Sequence, residues 1–206
     1  SELSVPYFEF KDANIDVTIA SINGGLIPVE PTPWFIDTKE DKMFNKSAEL
    51  TSLLTNSLSI EDVDFTEFDI VFLSGGWGAA YDLGFSESLA DKMFTAYESG
   101  SLIGAICHGV LGLINIKNKD GELLIKNRKM TGVTNKQLQE LGIFFTPMHP
   151  EDELKKAGVL FESKSKRIEF FANHVVVDDE ERFITGQNQN AGHEISQKIM
   201  EILENE

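Results

Sequence analysis

The chain has 206 residues, of which 41% are hydrophobic and 25% charged, and it carries a formal net charge of −16. That length suits one domain, residues 1–206, able to bury a core without disulfide or metal staples. The acidic balance argues against nonspecific binding to nucleic acid or anionic membranes. No apolar run approaches the roughly 20 residues of a membrane span, and no basic-then-apolar leader opens the sequence.

Strand-like and helix-like segments alternate along the chain. Residues 2–14 read as a helix, best defined from Pro6 onward. It begins without a capping residue and without the strand that normally opens an α/β sandwich, so the pattern suggests that residues precede Ser1. Residues 15–20 read as a strand. The stretch 22–42, with Gly24, Gly25, Pro28, Pro31 and Pro33, is long enough to be a lid or an interface arm. A helix is predicted over 46–56, a strand over 68–73, and a helix over 86–99 closed by Gly100 as a C-cap. Residues 102–106 form a third apolar strand, followed by a helix-compatible segment, 110–114. Short helices over 134–141 and 151–157 stop at Gly142 and Gly158. Strands over 175–177 and 182–185 flank an acidic turn, and a helix over 191–203 closes the chain. Short runs rich in Ile, Val and Phe suit a parallel sheet covered on both faces. The order of elements argues for an α/β fold, a three-layer sandwich with a mostly parallel sheet.

The only cysteine lies at the junction of the third strand and the segment after it, in Ala105-Ile-Cys-His-Gly109. A lone cysteine rules out an internal disulfide and fits a reducing cytoplasm. Small residues on either side of a strand-to-helix turn are what a nucleophile elbow requires, because the turn leaves no room for larger ones. A cysteine at such a turn faces helix N–H groups that favour a thiolate. A buried Cys107 acting only as a small hydrophobe is the other reading. Ser74-Gly75-Gly76-Trp77-Gly78 follows the second strand directly. Its backbone N–H groups can approach a substrate and build an oxyanion hole. A tight turn without function is the alternative, and the spacing does not match a phosphate-binding loop.

Four segments occur in order: Phe72-Leu-Ser-Gly-Gly-Trp-Gly-Ala-Ala-Tyr-Asp-Leu83, Ala105-Ile-Cys-His-Gly109, Met130-Thr-Gly-Val-Thr134 and Ile184-Thr-Gly-Gln-Asn188. Together they resemble the ThiJ/PfpI superfamily, in its branch of heat-shock-type glyoxalases and chaperones, essentially over the whole chain. The resemblance implies a class I glutamine amidotransferase-like, flavodoxin-like fold. It also implies a catalytic trio of Cys107, His108 and Glu2, with oxyanion donors at Gly76 and His108. Gly75 and Trp77 would line the substrate pocket. The implied reaction is glutathione-independent conversion of methylglyoxal, a small 2-oxoaldehyde, to a 2-hydroxy acid, with no cofactor or metal. The implied setting is a cytoplasmic homodimer with no nucleic-acid or membrane partner. A carboxylic acid that donates a hydrogen bond to sulfur favours the thiolate and can relay a proton.

The sequence departs from that branch at two site positions. Trp77 stands where it commonly has a histidine. Leu138 falls near the place of the acid that orients the histidine, which leaves Glu140 or an acid of Glu151-Asp-Glu153 as substitutes. Two rival functions remain at this point: a cysteine amidase or peptidase, and a holdase chaperone or redox sensor switched by Cys107 oxidation. The segment Met148-His-Pro-Glu151 resembles the end of an amidotransferase triad, but it lies too close to Cys107 in sequence. It reads as a loop with Pro150 opening the next helix. His149, His174 and His193 lack metal-ligand spacing.

Overall fold

A computed structural model describes residues 1–29, 37–168 and 171–205. The elements, in chain order, are α1 (Ser4–Asp12), β1 (Ala20–Ser21), α2 (Lys39–Lys46), α3 (Ala48–Thr55), β2 (Leu58–Ser59), β3 (Ile70–Leu73) and α4 (Glu87–Ser99). There follow β4 (Leu102–Ile106), β5 (Lys129–Met130), α5 (Asn135–Glu140), α6 (Pro150–Lys156) and β6 (Leu160–Phe161). The last three are β7 (Val175–Val177), β8 (Phe183–Gly186) and α7 (Gly192–Leu203).

The central sheet has the order β3-β4-β8-β7. β4 is paired in parallel with β3 on one side and β8 on the other, and β7 runs antiparallel to β8. Every residue of β4 is buried, as expected of a parallel strand covered on both faces. Its pleat divides two cores. Leu102 and Ile106 join Phe10 of α1 and Ile195 and Ile199 of α7. Ile103 and Ala105 join Leu89, Met93 and Ala96 of α4. The result is helix, sheet, helix: the α/β sandwich expected from the sequence. Ser86 caps α4 through a hydrogen bond from the Leu89 N–H, and Gly100 ends it at φ 106°, a left-handed conformation that glycine adopts without strain.

Three expectations are corrected. Residues 15–19 alternate between sheltered and exposed as a strand would, but only Ala20 and Ser21 enter a ladder. The reason lies in the partner: the pair is parallel with Ala20 opposite Leu58, so residues 15–19 would need 53–57, where α3 ends and the chain turns into β2. The stretch 22–42 is not all connection. Its end folds into α2 through a capping box between Thr38 and Asp41, and Gly25 is bridged to Ser57. Pro31 and Pro33, on which the lid expectation leaned, lie outside the described residues. Finally, residues 107–113 wind as a 3₁₀ helix rather than an α-helix. Gly109 and Gly112 within it lower α-helix propensity and let it press against Leu73 of β3.

At the amino-terminal edge of the sheet, Arg128 fastens the acidic hairpin turn. Its guanidinium is paired with Asp178, donates to Glu180 at 2.8 Å and Tyr97 Oη at 2.9 Å, and lies 4.9 Å over the Phe183 ring. Asp178 also accepts from the N–H groups of Arg182 and Phe183 at 2.7 and 2.8 Å. Because the Asp178 side chain is 1% exposed and that of Glu180 61%, the two acids differ in worth. Asp178→Ala removes the buried partner of the guanidinium together with the acceptor of two backbone N–H groups, and is expected to cost about 3–5 kcal/mol. Glu180→Ala is expected to cost about 1 kcal/mol or less. Urea denaturation of the two variants tests this, and equal losses would contradict it.

Candidate active site

β4 delivers Cys107 at its carboxyl end, where ligands bind in open α/β sheets. Cys107 has φ 57°, a left-handed conformation that is uncommon for a residue with a side chain and costs of order 1–3 kcal/mol. The neighbouring chain enforces it. A Cβ on Gly109 would stand 2.2 Å from the Leu73 carbonyl oxygen, so the end of β3 occupies the space that a side chain would need.

Gly75 is the second close crossing. A Cβ there would lie 2.1 Å from Glu2 Oε2, 2.5 Å from the Ile106 carbonyl oxygen and 3.0 Å from Cys107 Cβ. The missing side chain lets the Glu2 carboxylate reach the Cys107 sulfur. Ser74 Oγ donates to the Glu2 carbonyl oxygen at 3.3 Å. Val5, one turn further on, packs against Gly192 at the start of α7. The segment ahead of α1 is therefore seated from both sides.

Cys107 is 5% exposed. Burial first, and then the Glu2 carboxylate, push its thiol well above the usual range, while the backbone N–H groups of Gly76 and His108 hydrogen-bond the sulfur and pull it down. Sulfur and carboxylate thus compete for one proton: a thiolate at this position requires Glu2 to hold it. The two N–H groups converge where an oxyanion on a sulfur-bound carbon would form.

His108 is buried, and its Nδ1 lies 3.4 Å from Cys107 Sγ. Among the described residues Nε2 has no hydrogen-bond partner. Burial, with a smaller effect from His149, lowers the imidazole to about 4, so it is neutral at pH 7. None of the candidate acids orients it. Glu140 is paired with Lys136, Glu151 accepts from the Asn135 N–H and from Lys155, Asp152 accepts from Asn135 Nδ2, and Glu153 is paired with Lys156. Leu138 is buried in the same apolar cluster as Cys107. The expected third acid is thus absent from the described residues around His108, because α5 and α6 spend their acids on local pairs.

Trp77 opens a 3₁₀ turn directly after Gly76. Its ring lies 6.2 Å from that of Tyr81, and the Tyr81 hydroxyl donates to the Phe145 carbonyl oxygen at 3.4 Å. A cavity of about 250 Å³ has walls that include Asn135, Leu138, Ile143, Phe144, His149 and Asp152. Neither Gly75 nor Trp77 is among its lining residues. The sequence joins His149 to this region only through the likeness of Met148-His-Pro-Glu151 to the end of an amidotransferase triad, whereas the fold brings the start of α6 near enough for His149 to act electrostatically on His108. The stretch 187–190 is a structural turn. Asn188 donates to Gln137 Oε1 at 3.1 Å and the Ala172 carbonyl oxygen at 2.8 Å, and accepts from the Asn190 N–H. His174 is paired with Glu162 and His193 with Glu9. Among the described residues no group of three or more His, Cys, Asp or Glu side chains is arranged to hold a metal ion. No described helix is long and apolar enough to cross a membrane.

The chain is similar to known proteins at several levels. Residues 1–202 match the model of the DJ-1/PfpI family. The chain is 30% identical over 159 residues to Glyoxalase 3 of Candida albicans, covering 75% of this chain and 64% of that protein. It is 24% identical over 207 residues to a putative glutathione-independent glyoxalase of Schizosaccharomyces pombe, covering 95% of this chain and 80% of that one. Among solved structures, Rapid Encystment Protein 24 KDa of Francisella tularensis superposes with a TM-score of 0.90 at 32% identity, covering 98% of this chain and 88% of its own.

The His108 environment has a consequence for stability. The unfolded chain takes up a proton near 6.5, the ordinary histidine value, whereas the folded protein does so only near 4. Between those values the unfolded state binds more protons, so stability falls as pH falls from 6.5 to 4 and is unaffected above 6.5. The loss attributable to His108 is roughly 3 kcal/mol by pH 4. Urea midpoints of wild type and His108→Gln across this range check it: the variant is expected to show the shallower fall. Parallel curves would contradict a buried neutral imidazole.

Proposed function

The chain belongs to the DJ-1/PfpI family, and on that premise we propose that it is a glutathione-independent glyoxalase acting on methylglyoxal or a similar 2-oxoaldehyde. The observation that carries the reading is the convergence on Cys107 of one carboxylate and two backbone N–H groups, with no acid behind His108 among the described residues. Names of relatives support the same activity.

The chemistry follows from one shared proton. Glu2 takes the thiol proton as the thiolate attacks the aldehyde carbon. The C–S bond forms, the carbonyl π pair moves to oxygen, and the Gly76 and His108 N–H groups hold that oxygen until Glu2 returns the proton. The product is a hemithioacetal. Glu2, again a carboxylate, then takes the hydrogen on the former aldehyde carbon as a proton; the C–H pair becomes the C=C bond of an enediol as the first carbon's hydroxyl proton passes to the neighbouring oxygen, and Glu2 returns its proton to the neighbouring carbon. The first carbon is oxidised to a thioester and the second reduced to an alcohol, so no external oxidant, reductant or cofactor takes part. Water cleaves the thioester, releasing the 2-hydroxy acid and restoring the cysteine. His108, neutral at pH 7, positions the sulfur through Nδ1. A hydrolase needs a histidine that takes a proton and gives it to a leaving amine, and an imidazole lowered to about 4 is poorly suited to that.

A chaperone reading draws on a different observation. Tyr81, Phe85, Phe144 and Phe145 are all exposed, Phe145 by 88%. If that surface holds unfolded chains, the Cys107→Ser variant retains aggregation suppression.

Methylglyoxal consumption and lactate formation without glutathione test the enzymatic reading. Cys107→Ser is expected to abolish turnover. Glu2→Gln, which can no longer exchange the proton, is expected to lower kcat by about 10²–10⁴-fold, with circular dichroism unchanged. Absence of turnover in folded wild type would overturn the reading.

A further inference from the structure

Glu2 reaches the sulfur from a turn ahead of α1, and α1 itself begins without a side-chain cap. Something outside that segment must therefore fix where the carboxylate stands. The loop after β3 supplies one tie, the donation from Ser74 Oγ to the Glu2 carbonyl oxygen. A second comes from α2. Ser4 Oγ, buried two residues beyond Glu2, donates to Asp41 Oδ1 at 2.5 Å. The Ser1 nitrogen lies 2.7 Å from the same oxygen, so contacts from both sides of Glu2 converge on one carboxylate. Between them, Leu3 packs against the buried cluster of Ile19, Phe44 and Leu54. A negative charge at the start of α1 also suits the helix dipole there.

Asp41 is itself held in place. Its Oδ2 accepts from the Thr38 N–H at 2.9 Å and from Thr38 Oγ1 at 3.0 Å, within the capping box of α2. α2 is seated on α1 by the buried Phe44, whose ring meets those of Tyr7 and Phe8 edge-on at 5.5 and 6.4 Å. Burial raises the Asp41 carboxyl, but the hydrogen bonds it receives outweigh burial and hold it below its usual value. At neutral pH it is therefore an acceptor at both oxygens, and a hydroxyl donating to a carboxylate makes one of the stronger hydrogen bonds. Exchange of a proton between Glu2 and the sulfur needs the two in aligned contact. Misplacement by about 1 Å can cost about 10²-fold in rate.

Resting on the glyoxalase reading for its effect on turnover, we propose that Asp41 is a positioning residue that acts through Ser4 to set the Glu2 carboxylate beside Cys107. α2, at the end of the stretch 22–42, then supports the site from outside it.

Cys107 is the only cysteine of the chain, so the ultraviolet absorbance of thiolate, taken as the difference from Cys107→Ser, titrates one sulfur. The Glu2 carboxylate is among the groups that push this thiol up, so Glu2→Gln is expected to move the midpoint to lower pH. Asp41→Ala and Ser4→Ala are each expected to move it the same way by part of that shift. Ser4→Ala removes the hydroxyl and leaves the capping box of α2 intact, so it decides the matter if Asp41→Ala does not fold. On the Glu2→Gln background neither change is expected to move the midpoint further, because the route to the sulfur is gone. A wild-type midpoint in the folded variants, a shift that persists undiminished in Glu2→Gln, or an unmoved midpoint in Glu2→Gln itself would overturn the proposal. In methylglyoxal turnover, both variants are expected to lower kcat by about ten- to a hundred-fold with KM little changed. If wild type consumes no aldehyde, the glyoxalase reading fails and the titration still decides the role of Asp41. If aldehyde is consumed and the titrations coincide, the role of Asp41 fails and the glyoxalase reading stands.

Discussion

Gly75 has no side chain, and its surroundings tolerate none. The Glu2 carboxylate, the Ile106 carbonyl and the Cys107 side chain all crowd the volume that a methyl group would fill. Three segments far apart in sequence meet there: the lead-in to α1, the loop after β3 and the end of β4. The contact between Glu2 and the sulfur exists only because of that crossing, and so does the competition for one proton. The same constraint explains the loop that follows. With Gly75 packed tightly, the turn at Gly76, with φ 93°, aims its N–H at the sulfur rather than back along the strand.

The two ends of the sheet are built by opposite rules. At the carboxyl edge a neutral imidazole is buried with its Nε2 unpartnered among the described residues, and a carboxylate lies beside a buried thiol. At the amino edge, Arg128 and Asp178 form a buried pair in which nearly every polar atom is matched, and aromatic rings flank the guanidinium. A strained, under-satisfied site is compatible with a stable fold when β4 and β8 are held firmly elsewhere. α4 and α7 press on the two faces, and the hairpin clamp fixes the far end of β8.

The parts legible in the sequence were those governed by local pattern. The apolar run of β4, the small residues around Cys107, the Ser86 and Gly100 caps of α4 and the Pro150 start of α6 each carry a short-range physical signature. So does the layering, because alternating strands and helices admit few packings. The strand expected over 15–20 failed although its alternation was real, since a ladder is only as long as its partner allows. α2 was missed although Thr38 and Asp41 spell a capping box, because the preceding prolines and glycines dominate the composition of that stretch. At the site, Cys107 and Gly76 announced themselves by motif. The placement of Glu2 followed from resemblance, not from any local rule. Asn135 gave no usable signal, His149 was pointed to only by the amidotransferase-like His-Pro-Glu run, and the acids proposed to orient His108 proved to be committed to lysines one helical turn away or to Asn135 of α5.

The left-handed backbone of Cys107 has an evolutionary consequence. Glycine at that position would relieve the strain, at the loss of the sulfur and its packing. Random substitution screened for thermal resistance alone would therefore be drawn toward emptying the elbow, and screening for turnover toward keeping it. Residue 107 is where robustness and chemistry are traded against each other. β4 itself, buried and unstrained, is where both demands agree.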